Sequence, residues 1–510
     1  MSVQPIQGEV GIAQGEPAPQ GRSAWLLVIL ASTGCIGIAI ASGTHIGLVL
    51  VTLPIVIALV WQSPRTMIAV MPVWMVMLGL VRRLTPGGGN ITFSGDPVLI
   101  IGPVVFLLLF IVAASRGGLS NRSRFATVVG WFCILAFLEG FNPKQGSVFT
   151  GLGGILFILV PMLAFWIGRA LVDEVLAIQL VRTVAVLSFF GAAYGLIQQF
   201  HGLPSWDANW ISTRGYSALS LGSNVIRAFG TFSSAQEYAA FLSVGLVAWL
   251  ALAGKATRML PPVHLAGTAT VAVALWFESE RTAVFLTVLA IGVMAAARLR
   301  LRPIGVILGG VGAVAFLVVV GGHLGSGGGG GGGAAGTLNQ HVVKGISGPF
   351  SQGSSLPGHI RATRIGILQA FKYPIGHGTG SVTIAANRYT HSRTVGTEFD
   401  PGNMGIAFGV LGLVFYALIA WYAIKTAYVA AVRRREVVAL FTLGMLMATL
   451  FQWTNGDLYS VCWLIWLFLG YLDVRVMRAP AEEAPATAVP VVQGFTWRRP
   501  GEDRRRGPLA

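Results

Sequence analysis

Long apolar segments separated by short polar connections make up most of this chain. A helix needs about 20 mainly apolar residues to cross the roughly 30 Å hydrocarbon core of a bilayer, and many of the segments approach that length. The pattern therefore predicts an all-α polytopic integral membrane protein with about 12–14 transmembrane helices. The candidate spans are residues 24–43, 46–61, 66–81, 98–114, 125–138, 151–168, 175–199, 235–253, 265–277, 282–297, 303–321, 402–424, 437–453 and 459–473.

Two long polar intervals, about 200–234 and 322–401, interrupt this pattern. The second opens with a glycine tract, and the composition of 322–340 predicts a flexible lead-in. Further on, apolar residues recur at a helical period, which predicts a short amphipathic helix on the membrane surface. Arg361 and Arg364 would lie one turn apart on one face of that helix. The second interval gathers more charged residues than any of the spans.

The composition supports a membrane protein and changes the interpretation of its charge. Of 510 residues, 54% are hydrophobic and 11% charged, whereas soluble proteins carry about 25% charged residues. A net charge of +16 would suit nucleic acid, but the short connections hold fourteen Lys and Arg on one side and four on the other. This asymmetry predicts that the first side is cytoplasmic. Both termini then lie in the cytoplasm, both long loops lie on the outer face, and the expected partner is the lipid bilayer, with no nucleic acid.

The organisation predicted from these patterns has five parts. A disordered cytoplasmic tail, 1–23, precedes membrane scaffold helices in 24–200. A core in 201–424 carries the outer loops, and C-terminal membrane helices follow in 425–473. Residues 474–510 form a second disordered tail, basic and cytoplasmic. The N-terminus lacks a basic n-region, so no cleavable signal peptide is expected.

Three arginines are predicted to stand on the outer face. Arg227 precedes a helix start, where a guanidinium and free backbone N–H groups together make a site for an anion. Glu278, Glu280 and Arg281 share a tight turn, which alone would be interpreted as a solvated hairpin with a local ion pair. Its importance rises because Arg227 and Arg361 are predicted on the same face. The three cysteines lie in apolar runs without metal-ligand spacing, so neither a disulfide nor a metal is expected.

Two acidic residues precede the span that begins near residue 402. Asp400 is well explained as a cap on the helix N-terminus, and Glu398 less well. Upstream, the glycines of Pro374–Gly380 predict a close approach of the backbone to another element. His377 within that stretch is interpreted as a turn residue rather than a metal ligand.

Four stretches in this order resemble the O-antigen ligase and O-antigen polymerase superfamily of bacterial membrane glycosyltransferases. IRAFGTFSSAQEYAAFL (226–242) resembles its Arg-x-x-Gly-x-Phe block, and SERTAVFL (279–286) its Ser-Arg-Gly helix start. RATRIGILQAFKYPIGHGTG (361–380) resembles its Arg-containing helix followed by Pro-x-x-Gly-x-Gly. FDPGNMGIAFGVLGLVFY (399–416) resembles the segment that opens its next membrane helix. Each block alone is weak; four in order around a long loop are more specific.

The resemblance implies an enzyme of the bacterial plasma membrane whose active site faces the periplasm or the cell exterior. Its donor would be a glycan linked to polyprenyl diphosphate, and its acceptor a hydroxyl of a glycan or glycolipid. The reaction would be an inverting displacement without metal or cofactor. The chain departs from the family where Ala235-Gln236 replaces Pro-Asn, and where Glu398 and Phe399 stand in place of a His-Asn pair. The second departure leaves the identity of the catalytic base open. It also leaves open whether the chain is a ligase or a polymerase, although the missing His-Asn pair favours a polymerase.

The resemblance and the chemistry together nominate two groups of residues. A leaving diphosphate needs fixed positive charge, which arginine supplies through paired hydrogen bonds. Deprotonation of the acceptor needs a base within hydrogen-bond reach. The candidate diphosphate-binding residues are Arg281 and Arg361, with Arg227 or Arg364 assisting. The candidate catalytic bases, in order, are Glu398, Asp400 and His391.

Two other classes of protein fit the same topology. One is a transporter or flippase of lipid-linked or anionic solutes, which would be expected to hold charges near the membrane midplane. Apart from Arg182, the spans carry almost no charge near their midpoints, which weighs against it. The other is a non-catalytic partner of a polysaccharide assembly complex.

Overall fold

The computed structural model describes most of the membrane region of the chain. Regular structure in these residues is helical, and nine helices are long and apolar enough to cross a membrane, which confirms the prediction of a polytopic α-helical membrane protein at that level. Which end of the helices faces the cytoplasm stays a prediction. The described residues are 45–84, 96–119, 123–214, 226–253, 261–302, 304–305, 307–313, 315, 334–347, 356–390, 396–434 and 436–482.

The helices follow the predicted apolar spans closely where both can be compared. The predicted span 24–43 and much of the span 303–321 lie outside the described residues. In chain order the helices are α1 His45–Gln62, α2 Pro64–Leu84, α3 Ile101–Ser115, α4 Arg124–Glu139, α5 Val148–Leu171 with a π-turn inside it, α6 Glu174–Phe200, α7 Ser205–Arg214, α8 Ala235–Ala253, α9 Pro261–Glu278, α10 Arg281–Arg298, α11 Ala334–Ser347, α12 Leu356–Lys372, α13 Ile384–Tyr389, α14 Asp400–Arg434, α15 Val437–Ala448 and α16 Tyr459–Glu482.

The long helices run antiparallel in sequence, so their connections collect at two ends of the bundle. At one end, here called the opposite end, Arg169 pairs with Asp473, and Ser123 Oγ donates to Asp473 Oδ2 at 2.7 Å. Arg65 pairs with Asp173 at the same end. These contacts tie the start of α2, the end of α5 and the start of α6 to the C-terminal half of α16. The other end, here called the site end, holds Arg227 and Arg281.

Small residues bring the central helices into close contact. A side chain at Gly168 of α5 would overlap the backbone of Leu467, and one at Gly470 would overlap the backbone of Phe165. Close backbone approach strengthens van der Waals packing between helices in lipid, where the lipid tails are as apolar as the side chains and supply no hydrophobic driving force. The glycines therefore fix the crossing of α5 and α16, around which large buried side chains pack.

The helix α14 is broken at Gly409, whose φ of 62° and ψ of −146° are not helical. The backbone N–H and C=O groups that lose their helical partners at this break bond to the stretch Pro374–Gly380. Val410 N donates to Pro374 O at 3.1 Å, and Gly378 N donates to Ala407 O at 3.0 Å. A side chain at Gly409 would overlap the Pro374 carbonyl. The close approach predicted from these glycines is confirmed, and α14 is the element that they approach.

Candidate active site

The segment 226–234 at the site end is anchored by hydrogen bonds from a buried arginine. Arg83 Nη1 donates to Phe232 O at 2.7 Å, and its Nη2 donates to Gly230 O at 2.6 Å. Its Nε lies 2.9 Å from Asp207 Oδ1 in α7. Buried carbonyls need such donors, because an unpaired one costs about 1–3 kcal/mol. Arg83 thus fixes the path of the chain that carries Arg227.

A second arginine, one residue earlier, reinforces this support. Arg82 Nε donates to Asp96 Oδ2 at 2.7 Å, and Arg82 Nη1 donates to Ser233 Oγ at 3.1 Å. His45 Nδ1 lies 2.8 Å from the other oxygen of Asp96. Burial acts to raise the pKa of Asp96, but the His45 hydrogen bond and the Arg82 charge outweigh it and lower the pKa to about 2. Asp96 is therefore ionised at neutral pH and bridges Arg82 and His45.

Arg227 is buried and is fully engaged by the turn between α9 and α10. Its Nε donates to Glu278 O at 3.0 Å, and its Nη2 contacts the carboxylates of both Glu278 and Glu280, the latter at 2.6 Å. Burial acts to lower the pKa of Arg227, but the two carboxylates outweigh it and raise the pKa overall. Because two anions already surround this cation, Arg227 fixes the turn in place and adds little net positive charge.

Arg281, at the first position of α10, has a partner of a different kind. Its Nη2 lies 2.8 Å from His341 Nε2, and its Nε lies 3.3 Å from the same nitrogen. No carboxylate lies within ion-pair distance of Arg281 in the part of the chain that is described. Among the described cations of the site, Arg281 is the one without a direct carboxylate contact, although the charge of the adjacent Glu280 acts on it through space.

Glu398 lies just before α14, where the charges of Arg227 and Glu280 act on it. His359 Nδ1 of α12 is 3.3 Å from Glu398 Oε2, and both side chains are partly exposed. Burial raises the pKa of Glu398, and the Glu280 charge raises it further, while His359 and Arg227 act to lower it. The net direction is upward. Glu398 is therefore a carboxylate with a raised proton affinity, open to solvent, in the field of Arg227.

These groups form one charged cluster, and each is placed by a different part of the sequence. The charge of Arg227 acts on both His341 and Glu398, so the Arg281–His341 contact and the His359–Glu398 pair lie in the same electrostatic neighbourhood. Displacement of an anionic leaving group needs a cation that stabilises the departing charge and a base that accepts the proton of the nucleophile, both accessible to substrate. The charged cluster consists of Arg227, Glu278, Glu280, Arg281, His341, His359 and Glu398.

The structure does not bring Arg361 and Arg364 into this cluster. Both are exposed, and among the described residues no carboxylate pairs with either. Two residues of α-helix correspond to a turn of about 200°, so Arg361 points away from the face on which His359 meets Glu398. The predicted amphipathic helix is present, and Ile365, Leu368 and Phe371 are exposed beside the arginines. The two arginines therefore project from the outward face of α12.

The other two candidate bases have different positions. Asp400 is fully buried, and its Oδ2 accepts hydrogen bonds from Tyr416 Oη at 2.8 Å and from Thr454 N at 3.0 Å. Its backbone N also donates to Phe451 O at 2.6 Å. This environment favours a role in joining α14 to the α15–α16 connection over contact with an acceptor. His391 lies outside the described residues.

The sequence interpretation missed the two histidines and the pairing of Arg227. His341 lies in α11, which begins at Ala334, so the expectation of a flexible lead-in through residue 340 is wrong for residues 334–340. The signal was available in the apolar spacing of Leu338 and Val342, which are both buried. For His359, which lies in the first turn of α12, the sequence gave no indication of its partner 39 residues later.

Within the described ranges, no group of three or more His, Cys, Asp or Glu residues is placed to hold a metal ion. Cys133 and Cys462 are buried as free thiols.

Comparison with family models and with curated proteins finds no match for this chain. The resemblance to the O-antigen ligase and polymerase superfamily therefore rests on the four sequence blocks alone. Three of those blocks contribute to, or directly adjoin, the charged cluster, through Arg227, Arg281 and Glu398.

Proposed function

We propose that this protein is a membrane glycosyltransferase of the O-antigen ligase or polymerase kind. It would transfer or polymerise glycan units from a polyprenyl-diphosphate carrier onto a hydroxyl acceptor at the outer face of a bacterial plasma membrane. The observation that supports the proposal is that Arg281, which contacts His341, and Glu398 both lie within the electrostatic influence of Arg227 and Glu280 at the site end of the bundle. A cation without a carboxylate partner and a carboxylate of raised pKa suit a reaction with an anionic leaving group and a weakly acidic nucleophile.

In the proposed reaction Arg281 stabilises the leaving diphosphate. The bond between the anomeric carbon and the diphosphate oxygen breaks, and its electron pair leaves with the lipid diphosphate. Guanidinium groups bind phosphate oxygens through paired N–H donors. The attraction between the two charges is stronger where water is partly excluded. Arg361 and Arg364, on the outward face of α12, would meet the carrier from the lipid side.

Glu398 is the proposed general base. The acceptor hydroxyl oxygen forms the new bond to the anomeric carbon as its proton passes to a Glu398 carboxylate oxygen. The raised pKa of Glu398 strengthens it as a base, provided that it is ionised at the working pH. His359, at 3.3 Å, fixes the orientation of the carboxylate. One displacement of this kind inverts the anomeric configuration and needs no covalent intermediate.

The test is glycan transfer by purified protein in nanodiscs supplied with a polyprenyl-diphosphate oligosaccharide and a range of acceptors. Wild type should form product, and Glu398→Gln should lower the rate by about 10²–10⁴, the usual range for loss of a general base. Glu174→Gln, a carboxylate at the opposite end that pairs with Arg475, is the matched control and should leave the rate unchanged.

The second variant, Arg361→Ala, tests the outward face of α12. A rise in KM for the lipid-linked donor with little change in kcat would indicate binding of the carrier there. If folded wild type makes no product with any donor but moves the lipid across the bilayer, the flippase alternative replaces this proposal. If it neither transfers nor moves lipid but binds proteins of polysaccharide assembly, the non-catalytic alternative does.

A further inference from the structure

The contact between Arg281 and His341 joins two elements that are distant in sequence. We propose that His341 is a positioning residue that orients the Arg281 guanidinium toward a lipid-linked diphosphate while leaving its positive charge uncancelled. The inference rests on the proposed function, because it assigns a task to a residue of that site. It goes beyond it by naming a residue of the long second loop, which the sequence blocks do not include.

The geometry makes His341 an acceptor. Nη2 and Nε of Arg281 lie 2.8 and 3.3 Å from His341 Nε2, and Nη2 also lies 3.2 Å from Nδ1. A guanidinium can only donate, so the imidazole nitrogen that it contacts must carry a lone pair. A neutral ring has one acceptor nitrogen, and the shorter contacts assign it to Nε2; the proton then lies on Nδ1, and the 3.2 Å approach of Nη2 to Nδ1 is a proximity without a hydrogen bond. The remaining N–H groups of Arg281 are left to meet an anion.

The surroundings of His341 keep the ring neutral. Burial lowers its pKa, and the positive charges of Arg281 and Arg227 lower it further, to about 4, against the opposing effect of Glu280. At neutral pH the ring therefore carries no charge. It supplies a directional hydrogen bond and does not add a second cation that would repel Arg281.

The helix α11 holds this ring in place by apolar packing. Leu338 and Val342 are fully buried and Val343 nearly so, which anchors one face of the helix against α6, α9 and α10. His341 follows Leu338 by three residues and precedes Val342, so it lies at the edge of the buried face. An anchored helix fixes the imidazole more firmly than an exposed loop would.

The contrast with Arg227 in the same cluster shows why the partner matters. Arg227 contacts two carboxylates and thus contributes little net positive charge. A carboxylate in place of His341 would fix Arg281 equally well but would compete with the diphosphate for its charge and its donors. A neutral acceptor orients the Arg281 guanidinium and leaves its positive charge for the diphosphate.

The experiment compares His341→Asp, His341→Gln and Gln340→Asp in full-length protein in nanodiscs. Binding of a short polyprenyl diphosphate, farnesyl diphosphate, and the kinetics of glycan transfer are measured. We expect His341→Asp to weaken diphosphate binding by about tenfold or more, because a new ion pair opposes the ligand. His341→Gln retains a neutral acceptor and should lose less. Gln340→Asp places the same charge one residue away on the exposed face of α11 and should bind as wild type does.

A double-mutant cycle separates this role from a merely structural one. If His341→Asp acts through Arg281, it should weaken diphosphate binding in wild type but not in the Arg281→Ala background. An equal loss in both backgrounds, or equal losses for His341→Asp and His341→Gln, would overturn the inference. Wild type that neither binds farnesyl diphosphate nor transfers glycan would instead contradict the proposed function itself, which keeps the two failures apart.

Discussion

Arg169 and Arg281 lie at opposite ends of the bundle and differ in the chemistry of their partners. Arg169 is buried and pairs with the Asp473 carboxylate, which also accepts a hydrogen bond from Ser123. Arg281 is less buried and pairs with a neutral imidazole. At the opposite end, the buried cation is matched by an anion of the protein itself. At the site end, one cation is oriented without being matched.

This difference indicates which charges stabilise the fold and which are available for a ligand. A buried ion pair with both partners present is costly to break, because the remaining charge is left without compensation. A cation without such an anion is less favourable to the fold, and proteins tolerate such features mainly at functional sites. The same criterion assigns Arg82 and Arg83 to the fold, since carboxylates of Asp96 and Asp207 pair with them.

The largest effect on stability is expected from Arg169→Ala. Removal of one member of a buried pair costs about 3–5 kcal/mol, so the free energy of unfolding in mixed micelles should fall by that amount. Glycan transfer per folded molecule should not change. The double variant Arg169→Met, Asp473→Leu is the control and should recover much of the loss, because apolar pairs of similar volume often replace buried ion pairs. A loss below about 1 kcal/mol in the single variant would break the comparison.

A smaller effect is expected from Glu280→Gln, which removes one of the two carboxylates beside Arg227. Glu278 remains as its partner, so the loss of stability should stay within about 1 kcal/mol, as for partly exposed pairs. Affinity for farnesyl diphosphate should rise about two- to tenfold, because a negative charge near the ligand is removed. Titration calorimetry in nanodiscs measures this affinity. Weaker binding would show that Glu280 contacts the substrate or holds Arg227 in place alone.

The smallest effect is expected in the pH profile. Glu398 must be ionised to accept a proton, so kcat/KM should fall as the pH drops through its raised pKa, above the range of an ordinary glutamate near about 4.3. His359 acts to lower the pKa of Glu398, so His359→Gln should move the acidic limb of the kcat/KM profile to higher pH. A limb that stays in place or moves to lower pH would show that another group titrates there.

The sequence predicted those features that depend on local patterns. Apolar runs gave the membrane helices, the amphipathic period gave α12, and the glycines of Pro374–Gly380 indicated the close approach that α14 receives. The cytoplasmic assignment of the chain ends rests on charge counting and stays a prediction. The five-part division also stays a prediction.

The pairing of charged residues could not be predicted in the same way. Arg227 and Glu278 are 51 residues apart, and Arg281 and His341 are 60 apart, so no local period connects them. Arg83 is one of the four basic residues counted in the short outer connections, yet it is buried and donates to the carbonyl of Phe232. Such contacts depend on which helices pack together, and a single sequence does not specify that packing.

The most direct test of the account compares the first and last residues of one helix. Arg281 and Arg298 both belong to α10 and lie at the site end and the opposite end. In nanodiscs with polyprenyl-diphosphate oligosaccharide, Arg281→Ala should lower the rate of transfer by about 10²–10³, as expected for loss of a group that stabilises developing charge. Arg298→Ala should transfer at the wild-type rate, and both variants should unfold at similar temperatures. Equal rates for the two variants would contradict the claim that the charged cluster is the site of transfer.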